Sequence, residues 1–173
     1  GFDSTIQTLK SLDSTNSRIK FYNQDLSEWE TVEEIFKENS IKEIIHFAAS
    51  LVVPESVEQP LKYYLNNTAN TASLIQTATK YGVNKFIFSS TAAVYGEPNK
   101  EDIPVSETTR TSPINPYGSS KLFSESVIKD TAFANETFKF VILRYFNVAG
   151  ADVDGKIGQS TLNATHQIGR ASC

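Results

Sequence analysis

The sequence predicts an α/β fold, a doubly wound parallel sheet, on three observations. Short apolar strands alternate with helix-like segments of ten to twenty residues. Parallel strands need long crossovers, usually helical, so this alternation is the pattern of a parallel sheet with helices on its faces. Three strand candidates end in small, hydroxyl or amide residues, at Phe47-Ala48-Ala49, Ser89-Ser90-Thr91 and Phe146-Asn147. In such sheets the carboxyl ends of the strands are where ligands bind. Finally, Pro116-Tyr117-Gly118-Ser119-Ser120-Lys121 opens a helix-like run that also belongs at that edge.

Each element follows from local pattern. Ile6, Leu9 and Leu12, with Asp3 and Ser4 as caps, predict a short helix over residues 3–13. Ile19-Lys20-Phe21-Tyr22 reads as a strand leading into Asn23-Gln24-Asp25-Leu26-Ser27. Trp29, Val32, Ile35 and Phe36 have helical spacing within residues 28–39, and Ile44, Ile45 and Phe47 mark a buried strand within 41–49. Residues 58–81 read as one long helix with small residues along its middle. Lys85-Phe86-Ile87-Phe88-Ser89-Ser90 is the next strand, and a Pro/Glu/Thr/Ser-rich loop runs over 96–114. Proline suits a first helical position, so a helix is expected from Pro116 to about Ala134. Phe138 to Tyr145 is the most hydrophobic strand, after which the pattern fades from Ala151, with a helix expected after Ser160. Segments 19–23, 43–48, 85–90 and 139–145 are expected to be parallel neighbours or near neighbours.

Composition bounds the function. The 173 residues can bury a sizeable core, and 39% hydrophobic content with eleven Phe and seven Tyr is globular, not disordered. A net charge of −4 argues against binding nucleic acid or an anionic membrane by bulk charge. Cys173 is the single cysteine, so no internal disulfide framework exists and a reducing, cytoplasmic compartment is expected. No apolar run approaches a membrane span. No residue cluster points to a metal. The chain starts at Gly1 and contains no methionine, which reads as a processed chain or an internal fragment.

Tyr117 and Lys121 carry the chemistry. Four residues apart on a helix, they lie on one face, one turn from each other. A free tyrosine titrates near ~10, too high for a base at neutral pH. An ammonium held beside it favours the phenolate, which makes an acid/base able to work near pH 7. Y-x-x-x-K also occurs by chance at the start of ordinary amphipathic helices. The small residues at the strand ends, which let a flat group approach the backbone, raise it to a candidate site.

Five segments together resemble the extended short-chain dehydrogenase/reductase superfamily, and most closely its UDP-hexose 4-epimerase family. They are Ile45-His46-Phe47-Ala48-Ala49, residues 60–68, Lys85 through Gly96, Pro116 through Lys121, and Leu143 through Gly150, in the family's order from about residue 19 to 151. The resemblance implies a Rossmann-like NAD-binding domain, truncated at both ends. Residues 1–150 would be that partial domain, lacking the first βαβ unit, and 151–173 the start of a substrate-binding domain. It implies a bound NAD, a UDP-sugar substrate and a homodimeric parent. Tyr117 would take the proton from the sugar's 4-hydroxyl, Lys121 would hold the nicotinamide ribose, and Thr91 would hydrogen-bond the reacting hydroxyl, so that these three are the implied catalytic residues. Implied cofactor contacts are Asp25 and Leu26 at the adenine end, then Phe47, Ala48, Ala49, Ser50 and Leu51. Asn66, Ser89, Thr91, Tyr117, Lys121 and Phe146 complete that set. Thr91, Tyr117 and Asn147 would meet the substrate. His46 is read as a strand-end histidine satisfied by its neighbours.

Within the superfamily, the related 4,6-dehydratases carry an acidic pair directly after the threonine. Here those positions are Ala92 and Ala93, which can neither donate nor accept the protons of water elimination. Departures from the family's pattern exist. The glycine-rich phosphate loop is absent from these residues, as is the acidic residue that would hold the adenosine ribose. Leu51 replaces a lysine many members carry, and the match decays beyond Gly158. A non-catalytic dinucleotide-binding relative and another nucleotide-sugar enzyme, such as a decarboxylase or dehydratase, remain the alternatives. The 173 residues alone are expected to be inactive, to bind NAD weakly and to aggregate.

Overall fold

The computed structural model describes residues 2–11, 18–148, 150 and 153–154. The chain divides into two units, residues 24–146 and residues 1–23 with 147–173, and each is described by itself.

In the smaller unit, α1 (Phe2–Ser11) forms where the Ile6, Leu9 period placed it. Residues 19–23 are not a strand. The apolar pattern is present, but a strand exists only when its N–H and C=O groups meet a neighbouring ladder, and no described strand pairs with this segment. The helix expected after Ser160 lies outside the described residues.

The larger unit holds α2 (Trp29–Glu38), β1 (Glu43–His46), α3 (Val53–Glu58), α4 (Pro60–Tyr63), a π-helical turn (Tyr64–Ala69), α5 (Asn70–Lys80), β2 (Lys85–Thr91), α6 (Pro116–Ala134) and β3 (Lys139–Tyr145). The sheet has three strands in the order β1-β2-β3. Both pairings are parallel, with His46 opposite Phe88 and Thr91 opposite Tyr145, so all three carboxyl ends share one edge. One row of alternate side chains, including Ile44, Phe86, Phe88, Phe140 and Ile142, packs under Val32 and Phe36 of α2, Leu74, Ile75 and Ala78 of α5, and Ile128 of α6. Phe86, Phe88 and Phe138 are each 1% exposed. Burying each such ring is worth roughly 2–3 kcal/mol. The opposite row, Ile45, Ile87 and Val141, lies in register across the sheet, and Ile45 is 60% exposed.

The long helix expected over 58–81 runs from Pro60 to Lys80 as α4, the π turn and α5, with helical backbone at each junction. Pro60 has no N–H to continue α3, so the chain turns at Gln59 and restarts with proline at the first position of α4. The π turn follows, with the Asn70 N–H donating back to the Leu65 carbonyl. Such widened turns are frequent at functional sites, and here it carries Asn66 and Asn67.

The 96–114 loop returns tightly to deliver α6. Gly96 has φ +65°, and a Cβ there would stand 1.9 Å from the Ser112 carbonyl oxygen. Only glycine allows that conformation and that approach. The Ser112 N–H donates to the Val94 carbonyl at 3.0 Å, closing the loop.

Candidate active site

The helix carrying Tyr117 starts as its sequence predicts. Pro116 is the first helical residue, and the Asn115 side chain caps it by accepting from the Gly118 N–H at 2.8 Å. A Cβ on Gly118 would lie 2.7 Å from the Ala93 carbonyl oxygen. The start of α6 therefore sits directly on the 3-10 turn Ala92–Tyr95, which begins immediately after Thr91. Thr91 ends β2 and caps that turn, its hydroxyl oxygen accepting from the Ala93 N–H at 3.2 Å. One turn into α6, the Lys121 ammonium donates to the Ser89 carbonyl at 2.8 Å and lies 4.8 Å from the Phe88 ring centre. Thr91, Tyr117 and Lys121 are thus gathered at the carboxyl end of β2.

Lys121 is 4% exposed, and burial pushes its ammonium down to about 8. Tyr117 is partly buried, its ring edge-on to Tyr63 at 6.4 Å between centres. The Tyr63 hydroxyl shares its one proton between two acceptors, Glu55 at 2.8 Å and the Val52 carbonyl at 2.7 Å. Burial first, and then Glu55, push Tyr63 up to about 12, so it stays protonated beside Tyr117.

The implied cofactor residues distribute unevenly. Phe47 is 64% exposed, Leu51 55% and Phe146 74%, all just beyond the strand ends, with the small Ala48 and Ala49 between. They form an open apolar rim. Ser50 is fastened from the π turn: the Asn67 side chain accepts from the Ser50 N–H at 2.8 Å and donates to its carbonyl at 2.9 Å. Asn66 donates to the Ser50 hydroxyl at 2.9 Å. Leu26 packs against the core. Asp25 accepts from both the hydroxyl and the N–H of Ser27, at 2.6 and 2.8 Å, which holds its carboxyl below the usual range. Its carboxylate thus closes a turn. Asn147 belongs to the other unit.

Two of the next three residues, Asn67 and Glu125, were not legible in the sequence reading. Asn67, 1% exposed, also donates to the Ser120 hydroxyl at 3.0 Å and so links the Ser50 loop to α6. His46 is buried with Nε2 3.0 Å from the Thr71 hydroxyl, which itself donates to the Asn67 carbonyl at 2.6 Å. Its expected role as a satisfied strand-end residue matches this bonding, and burial and Lys121 push it down to about 4. Glu125, fully buried, accepts from Ser90, from two nitrogens of Arg144 and from Lys129. The asparagine pair and the Glu125 spacing from Lys121 were the only sequence signals.

Residues 3–170 match the family described as Epimerase, NAD dependent epimerase/dehydratase family. The UDP-glucose 4-epimerase of Azospirillum brasilense is 49% identical over 144 residues, 83% of this chain and 40% of that protein. The UDP-Glc/GlcNAc 4-epimerase structure from Campylobacter jejuni is 53% identical, with a TM-score of 0.77 over 92% of this chain and 47% of that one. The UDP-glucose 4-epimerase structure from Bifidobacterium longum, a complex with NAD+ and UDP, is 38% identical with a TM-score of 0.84 over 93% and 47%. This chain therefore spans less than half the length of these relatives.

Proposed function

The chain belongs to the NAD dependent epimerase/dehydratase family, and from that membership we propose that a full-length protein carrying it inverts C4 of a UDP-hexose, interconverting UDP-glucose and UDP-galactose through a 4-keto sugar. One observation carries the reading. The start of α6 rests on the turn that follows Thr91 while Lys121 bonds the Ser89 carbonyl, so the acid/base pair and the strand-end hydroxyl share one edge.

The residues there fit the nicotinamide half of NAD. Lys121 has given one of its three N–H donors to Ser89, leaving two for ribose hydroxyls. Phe47, Leu51 and Phe146 offer exposed apolar surface for a flat ring, and Ala48 and Ala49 let it approach the backbone. NAD, when bound, supplies acceptance and return of the C4 hydride. Tyr117 takes the proton of the 4-hydroxyl and gives it back. Thr91 accepts from the Ala93 N–H, so its own O–H is left to donate to the reacting oxygen. Lys121 lies one turn from Tyr117 on the same face of α6 and places its ammonium at that edge. Ala92 and Ala93 provide no acid or base for elimination, which separates this reading from a dehydratase.

The Campylobacter relative, at 53% identity, favours the UDP-N-acetylhexosamine pair as a second substrate. The same reading makes the protein cytoplasmic and a homodimer, and the exposed Leu61, Leu65 and Phe123 on neighbouring helical segments support the dimer. Light scattering on the full-length protein tests that. The activity is tested by incubating it with NAD and each of UDP-glucose, UDP-N-acetylglucosamine and UDP-glucuronate. Inverted C4 with no change of mass is expected; loss of water or carbon dioxide would replace the reading.

A further inference from the structure

Under the sheet edge, α6 presents Glu125 one turn beyond Lys121, on the same face. Its carboxylate is fully buried, yet Lys121 makes no ion pair with it among the described residues. Arg144, two residues before Phe146 on β3, takes both oxygens: Nε donates to Oε1 at 3.0 Å and Nη2 to Oε2 at 2.7 Å. The Ser90 hydroxyl donates to Oε1 at 2.6 Å, and Arg144 Nη1 donates to the Tyr95 hydroxyl at 3.0 Å. One carboxylate thus ties together α6 and the ends of β2 and β3, which carry Lys121 and Thr91 and lead into Phe146.

We propose that Glu125 and Arg144 are a positioning pair for the Tyr117–Lys121 site, in which Arg144 neutralises Glu125 and so keeps that carboxylate from pairing with Lys121. The proposal deepens the epimerase reading and rests on it for the role of Lys121. A bidentate guanidinium suits this task, because the planar fork occupies both carboxylate oxygens at once. Burial raises and Arg144 and Ser90 lower the Glu125 carboxyl, with the lowering dominant, so Glu125 is a full negative charge. The other groups around Lys121 do not compete for it. His46 of β1 is neutral, Tyr63 of α4 is protonated, Glu55 of α3 is bonded to Lys62 and Tyr63, and Lys129 is itself a cation, paired to Glu125 at 3.3 Å. The charge of Lys121 is thereby reserved for Tyr117.

The test follows the Lys121 side chain by NMR titration in the full-length protein, with its signal identified by loss in Lys121→Met. Arg144→Met should raise the Lys121 midpoint and Glu125→Gln should lower it, each by about one unit. That is the scale of changing one charge in a partly buried cluster, and in Arg144→Met the ion pair from Lys129 to Glu125 remains. The double variant should return it close to the starting value. The kcat pH profile should move with it: because the site needs Lys121 charged, the descending limb should go to higher pH in Arg144→Met, while KM for the UDP-sugar changes little. Folded single variants with an unmoved Lys121 midpoint would overturn the proposal. Should Arg144→Met not fold, Glu125→Gln alone decides in the same way. The NMR arm needs no turnover, so failure of the epimerase reading would show as absent activity with the midpoint shifts intact.

Discussion

The Gly118 Cα faces the Ala93 carbonyl so closely that a methyl group there would lie 2.7 Å from the oxygen. The opposing atom is backbone and cannot rotate away, so any side chain at 118 must lift the start of α6 off the turn behind Thr91. Gly118→Ala should therefore destabilise the full-length protein by about 1–3 kcal/mol, the range of overpacking. It should also lower turnover by at least tenfold, since displacements of an ångström at a catalytic group are costly. Thermal unfolding and kcat measured together check this; a variant with normal turnover would show that the contact does not set the Tyr117–Thr91 geometry.

Tyr117→Phe keeps the ring that packs edge-on to Tyr63 and removes only the hydroxyl. Turnover should fall by roughly 10²–10⁴-fold, the worth of a positioned acid/base, with KM nearly unchanged. Steady-state kinetics with UDP-glucose decide it.

How much of this was readable in advance follows from the range of each interaction. The α6 start, its proline, the Tyr117–Lys121 spacing and the strand-end hydroxyls are local patterns, and the structure places them as the sequence predicts. Residues 19–23 show the limit of the same method. Their alternation is that of a strand, but a ladder is a property of two segments, and local pattern does not report what lies alongside. The asparagine pair shows another limit. Residue type marked both, yet only the π turn decides that Asn67 is the buried clasp and Asn66 the more accessible one. Glu125 and Arg144, nineteen residues apart, meet through the sheet register. Helical periodicity shows that Glu125 faces inward but not what neutralises it.

That difference between the asparagines is measurable. Asn67→Ala leaves the Ser50 N–H and carbonyl without their partners in a mostly enclosed place. Each such group costs about 1–3 kcal/mol, so a loss of roughly 2–4 kcal/mol is expected. Asn66→Ala removes mainly a bond to the Ser50 hydroxyl and should cost under about 1 kcal/mol. Urea unfolding of the two variants compares them directly, and equal losses would refute the assignment.

His46 predicts an acid limb of stability. Its folded value, about 4, lies below the ordinary histidine value of 6.5, because burial and the Lys121 charge disfavour the imidazolium. Between those values the unfolded chain binds a proton that the folded chain refuses. Stability is thus full above about 6.5 and falls as pH drops toward 4, by up to roughly 3 kcal/mol. His46→Gln can keep a bond to Thr71 without titrating. Its urea midpoint should fall less steeply between pH 6.5 and 4, and parallel curves would count against a buried neutral histidine.

Lys121 gives the opposite trade between stability and function. A 4% exposed ammonium is penalised by burial, which depresses it from 10.5 to about 8. For a base so depressed, stability is full only above the unfolded value and is reduced as pH falls through 8, so at pH 7 the whole penalty applies. Against it stand one hydrogen bond to the Ser89 carbonyl and the contact with the Phe88 ring. Together these offset part of a penalty of roughly 3 kcal/mol. Methionine has a similar length, no charge and an affinity for aromatic rings. Lys121→Met should therefore make the full-length protein more stable by about 1–2 kcal/mol at pH 7 while removing turnover, the pattern expected where a site keeps a costly group for its chemistry. The gain should shrink as pH rises from 8 toward 10.5, where the native lysine loses its charge. Urea midpoints at pH 7 and pH 9.5 read both parts. A methionine variant less stable at pH 7 would show that the Ser89 and Phe88 contacts outweigh the buried charge.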